Sequence, residues 1–128
     1  MTDAWWTVDE RGAVLQLESL AVVLEVGAPV DVPEGLSTHQ SDTLASVLED
    51  PEAWVDRTRA FVGELGVDVA RAALSNVEIR VPAREPLVAL VADWSDDPER
   101  GLSVVFWGGR ARRWGARAEG MLWRGSST

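Results

Sequence analysis

An α+β domain, with an antiparallel β-sheet covered on one side by two or three helices and closed by a C-terminal double hairpin, is the fold this sequence predicts. Three observations carry that expectation. Apolar residues alternate at period two in both the first and the last third of the chain, and recur at three- and four-residue spacing between them. Glycine or proline punctuates the changes of period. The length of 128 residues is that of one domain, large enough to bury about two thirds of the surface of the unfolded chain, so 1–128 is expected to be a single globular domain.

The first strands are expected over Trp5 to Val8 and within "AVLQLESLAVVLEV", where Leu15 and Leu17, then Val22, Leu24 and Val26, alternate. Asp9 to Gly12 supplies the turn between them. In "GAPVDVPEG", Pro29 and Pro33 remove backbone donors and favour extended geometry before them, so the chain leaves the sheet there. Ser37 or Thr38 can cap a helix bearing Leu44, Val47 and Leu48 on one side. Asp50 followed by Pro51 opens a second helix, with Trp54, Val55, Phe61, Val62 and Leu65 inward and Gly66 as its left-handed terminator. Asp68 is expected to cap a short third helical segment running to Leu74. "VEIRV" then reads as a strand with Val77, Ile79 and Val81 inward and Glu78 and Arg80 in water, and "PLVALVADW" as a central strand covered on both sides. Asp97, Pro98 and Gly101 make "DWSDDPERGLSVVFWGGR" a hairpin, and Gly108-Gly109 makes a second one leading to a last strand over Arg110 to Ala116.

Composition excludes several classes of function. There is no cysteine, which removes disulfides, thiolate metal sites and a thiol nucleophile. The 21 acidic residues outweigh 12 basic ones, giving a net charge of -9 that repels phosphate, so nucleic acid is disfavoured as a partner and a basic protein favoured. The imbalance is uneven: positions 1–64 hold 13 acids and 3 bases, positions 110–128 hold 1 acid and 5 bases. Neither an export signal nor a membrane span is read from the chain, and a reducing cytoplasm suits it.

Chemistry-bearing patterns are sparse. Asp93, Asp96, Asp97 and Glu99 cluster, but Pro98 interrupts them and the alternate spacing of a calcium loop is missing, so a solvated turn without metal is expected. His39 is the single histidine and, with Asp42, makes two potential ligands at most, hence a cap or solvated side chain. Neither "GLS" completes a nucleophile elbow, and lysine is absent. No catalytic residue and no cofactor are assigned on this basis.

Seven tryptophans are the least ordinary feature. If the Gly-Gly turn sets the register and the preceding hairpin pairs Trp94 with Leu102, then Leu90, Ala92, Trp94, Leu102, Val104 and Phe106 face the helices. Val91, Val105, Trp107, Arg110, Arg112 and Trp114 then share the other face. Trp and Arg are the residues enriched at binding hot spots, so Trp107, Arg110, Arg112 and Trp114 are the candidate protein-binding residues.

The stretch Asp97, Pro98, Glu99 and Gly101 followed by the apolar run Leu102 to Phe106 resembles small bacterial domains of the polymorphic-toxin immunity type, with Arg100 where those more readily show His. The order of the remaining elements fits as well. The resemblance implies a non-catalytic partner that neutralises a toxin by surface complementarity, as monomer or small homo-oligomer, and brings no catalytic residues. Two alternatives remain open: a small-molecule or carbohydrate module that stacks ligands on Trp, and a small hydrolase built on a carboxylate pair.

Overall fold

The computed structural model describes residues 5–9, 12–18, 20–24, 36–82 and 86–117. Three strands come first: β1 (Trp5–Asp9), β2 (Gly12–Gln16) and β3 (Ala21–Leu24). Two helices follow, α1 (Thr38–Glu49) and α2 (Pro51–Glu64), then a 3-10 turn (Arg71–Ala73). Four strands complete the fold: β4 (Leu74–Val81), β5 (Leu87–Trp94), β6 (Leu102–Trp107) and β7 (Arg110–Gly115). All seven lie in one sheet in chain order.

The fold is α+β, with one departure from a purely antiparallel sheet. β3 and β4 run parallel, Val22 beside Ile79 and Leu24 beside Val81. The helices explain it, because neighbouring parallel strands need a crossover, and α1 and α2 are that crossover.

Local chemistry sets the helices. Ser37 Oγ accepts from the Gln40 amide at 3.2 Å while Gln40 Oε1 accepts from the Ser37 amide at 3.1 Å, a reciprocal cap. Asp50 caps α2 by accepting from the Ala53 amide, with Pro51 at the first helical position. The α2 terminus has Gly66 at φ 87°, with the Val67 amide donating to Val62 and the Gly66 amide to Gly63, the paired bonds of a left-handed helix stop. Arg71 grips Glu52 through Nε and Nη2 at 2.9 and 3.2 Å, and that bond holds the guanidinium above its ordinary pKa. The third segment is shorter than expected: it is a 3-10 turn preceded by Ala70 without a side-chain cap, and Leu74 already belongs to β4.

The core lies between the helices and one sheet face, joining Leu44, Val47, Trp54, Val55 and Val62 to Val22, Ile79, Leu90, Val104 and Phe106. Trp54 meets Phe106 edge to face at 5.2 Å, donates Nε1–H to Ser46 Oγ at 3.2 Å and carries the Arg57 guanidinium 4.1 Å over its ring. Leu48 and Leu65, expected inside, are exposed. α1 buries Gln40, Thr43, Leu44 and Val47, so Leu48 sits a further 100° round the helix, and Leu65 is already the cap residue of α2. Polar ties complete the docking of α1: Gln40 Nε2 donates to the Val81 carbonyl at 3.1 Å and His39 Nε2 to the Leu87 carbonyl at 2.9 Å. His39 is thus neither a cap nor a freely solvated side chain.

The opposite sheet face is not the wet surface that "VEIRV" implies. Val23, Ala89, Val91 and Arg80 are buried, and the Glu78 side chain is 12% exposed. Arg117, just beyond β7, reaches Glu78 at 2.9 Å and brings the chain over this face. β5 is central and covered on both sides, as expected from its continuous apolar run.

Candidate binding surface and cavity on the C-terminal hairpins

The stretch from Asp93 to Arg110 forms the two hairpins that its glycines predict. Gly108 and Gly109 have φ 58° and 82°, the pair of left-handed residues required by a two-residue hairpin turn. In the preceding loop the Gly101 amide donates to the Asp97 carbonyl at 2.8 Å, so the turn closes over one residue more than a four-residue turn. Gly101 takes φ 68° and is buried; a Cβ there would stand 2.7 Å from the Ala92 carbonyl oxygen and 2.9 Å from Arg117 Cβ. The loop is therefore a turn whose glycine is required both by conformation and by space.

Pairing across β6 and β7 decides which tryptophans share a face. Trp107 lies opposite Arg110 and Phe106 opposite Ala111, but Val105 faces Arg113 and Val104 faces Trp114. Arg112 is the extra residue of a β-bulge. The expected face of Trp107, Arg110, Arg112 and Trp114 is thereby corrected: Trp107, Arg110 and Arg113 are together beside Leu87 and Val105, and Trp114 turns to the helix side. The core half of the expected face holds, with Leu90, Ala92, Leu102, Val104 and Phe106 buried there and Trp94 packed against them, although Leu102 pairs with Ala92 rather than with Trp94, a two-residue shift that leaves the faces unchanged. Nothing in "RARRW" marks the bulge, since neither glycine nor proline signals it, and Arg113 was missed for that reason.

On the second face, Trp107 keeps 47% of its surface exposed at the end of β6. Arg110, Arg112 and Arg113 are exposed and have no ion-pair partner among the described residues, and no described strand covers the outer side of β7. A single-signed patch with one large aromatic therefore sits on a molecule that is acidic elsewhere.

On the helix side, the loop and the ends of β5 and β7 enclose a cavity of about 330 Å³ lined by Trp94, Asp97, Arg100, Gly101, Trp114 and the backbone after it. Trp94 and Trp114 bound the same space without ring contact between them. Trp94 Nε1 is buried and meets no acceptor among the described residues. These residues all lie in or next to the acidic loop that the sequence marks, but only the fold brings Trp114 to it.

A second cavity, about 620 Å³, opens beside the bulge in β4, where Asn76 takes φ 48°. It holds the carboxylate pair that a hydrolase would need, Glu78 and Asp93. Arg117 reaches both, at 2.9 and 3.8 Å, and Asn76 Nδ2 donates to Asp93 Oδ2 at 2.7 Å. Both carboxylates are thus engaged in seating Arg117 over the sheet. Among the described residues no three His, Asp or Glu side chains are grouped to hold a metal ion, and no helix is long and apolar enough to cross a membrane. Trp5, Trp6 and Trp123 have side chains outside the described residues, as does the Pro29–Pro33 connection.

No protein-family model, no curated protein and no solved structure matches this chain.

Proposed function

We propose that this chain is a non-catalytic protein-binding domain that works in the cytoplasm as the immunity partner of a toxin, the role its resemblance to that class implies. One observation carries the reading: Trp107, about half exposed, stands across from Arg110 on an edge strand whose arginines are unspent. Exposing an indole there forfeits burial worth about 2 kcal/mol or more, and a partner surface recovers it. Trp and Arg are also the residues that dominate interface energetics when a ring of neighbours excludes water. The acidic surface has a complementary part, since a net charge of -9 draws a basic toxin in before the patch engages.

The test is co-expression with candidate basic toxins drawn from the neighbouring genes, scored by growth, with affinity measured on the purified pair. Trp107→Ala and Arg110→Glu should each weaken binding by about 2 kcal/mol, near thirtyfold, and abolish rescue while leaving the melting temperature within a few degrees. Both side chains are exposed, so the fold should survive. If both variants protect as well as the parent, the patch is not the interface, and the exposed acids of the helices, Glu49, Asp50 and Asp56, take its place.

A further inference from the structure

We propose that the cavity between Trp94 and Trp114 is a binding site for a small carboxylic acid carrying a flat apolar ring, a site separate from the Trp107 surface. Its volume, about 330 Å³, is in the range of small-ligand pockets. The lining is specific in kind. Two indoles, on β5 and β7, line the same cavity, Trp114 level with Val104 and Leu90 and Trp94 four residues further along β5. They do not stack on each other, so both indoles are left to pack against an apolar ring held in the cavity.

The polar part of the lining offers one unused cation. Arg100 is exposed and its guanidinium has no partner among the described residues, a fork that matches a carboxylate in two parallel bonds. Asp97 also lines the cavity and opposes an anion, which makes its removal informative. No protein side chain joins a ring to a carboxylate, and this favours a small molecule over a partner's side chain.

The seven tryptophans give seven indole N–H resonances in a ¹H–¹⁵N spectrum, and Trp94→Phe and Trp114→Phe assign two of them. Titration with 2-naphthoate should move these two while Trp54 stays in place, with a dissociation constant on the order of 1 mM for so small a probe. The neutral analogue 2-naphthamide should bind about tenfold more weakly, as should naphthoate to Arg100→Gln. Asp97→Asn should tighten naphthoate severalfold, and Trp107→Ala should leave its binding unchanged even if toxin binding is lost. The proposal is overturned if the amide binds as well as the acid, if Arg100→Gln binds naphthoate as the parent does, or if neither resonance moves at about 10 mM probe.

Discussion

Gly101 is the residue on which the loop between β5 and β6 turns. Its φ of 68° strains any L side chain, and an added Cβ would press on the Ala92 carbonyl, which is backbone and cannot swing aside. Gly101→Ala should therefore cost on the order of 2 to 3 kcal/mol in urea unfolding, whereas Gly63→Ala, in open space on α2, should be neutral or slightly stabilising. Trp54 is the corresponding anchor of the helices. Trp54→Ala removes the edge contact with Phe106, the Ser46 bond and the platform under Arg57, and should cost about 3 to 5 kcal/mol. Leu48→Ala, at a position half exposed, should stay within about 0.5 kcal/mol. Trp54 was legible from its helical spacing and Gly101 from its turn. Leu48 was misjudged because a helix with four positions to bury leaves an adjacent leucine to water, and spacing alone does not say where the buried arc ends.

The boundaries of α2 were readable because caps are local chemistry: Asp50-Pro51 at one end and Gly66 at the other need no tertiary information. Strand register is different. The β-bulge at Arg112 adds one residue to β7, and a one-residue change carries every later side chain to the other face. Trp114 was therefore expected beside Trp107 and is found beyond the sheet from it. Because the chain has no cysteine, this pairing can be tested by introducing two. Directly opposed residues have Cα atoms about 4.5 to 5.5 Å apart, within disulfide range. Cys at Val105 and Arg113 should cross-link on mild oxidation, while Cys at Val105 and Arg112, the pair of an unbulged hairpin, should stay largely reduced. The opposite result would restore the simple register and put Trp114 back on the exposed patch. The parallel β3–β4 pair escaped the reading for a related reason: alternation identifies strands, whereas the direction in which they return depends on the crossover that joins them.

Charge is distributed unevenly over this protein, and for the proposed basic toxin that separates steering from anchoring. Positions 1–64 carry 13 of the 21 acids, and those on α1 and α2 include the exposed Asp42, Glu49, Asp50, Asp56 and Glu64. The arginines of β7 make it the one locally basic strand among the described residues, beside Trp107. This much was visible in composition, but an overall charge is compatible with many roles, and the site needed the fold to bring Trp94, Arg100 and Trp114 to one cavity. The division has a kinetic consequence for a basic toxin. Long-range attraction by the acidic helices should raise the association rate, and a Debye length that shrinks from about 20 to about 4 Å between 20 and 500 mM salt should remove most of it. The association rate is expected to fall at least about tenfold over that range, with dissociation little changed. Glu49→Lys with Asp56→Lys should slow association at low salt and flatten the salt dependence. Trp107→Ala should instead speed dissociation and leave the salt slope alone, since the indole acts only after contact. Stopped-flow association and surface-based dissociation measurements separate the two. If Arg110→Glu slows association at low salt and flattens the salt slope while the helix charge reversals do not, the partner is steered by β7 rather than by the helices, and an acidic partner replaces the basic one.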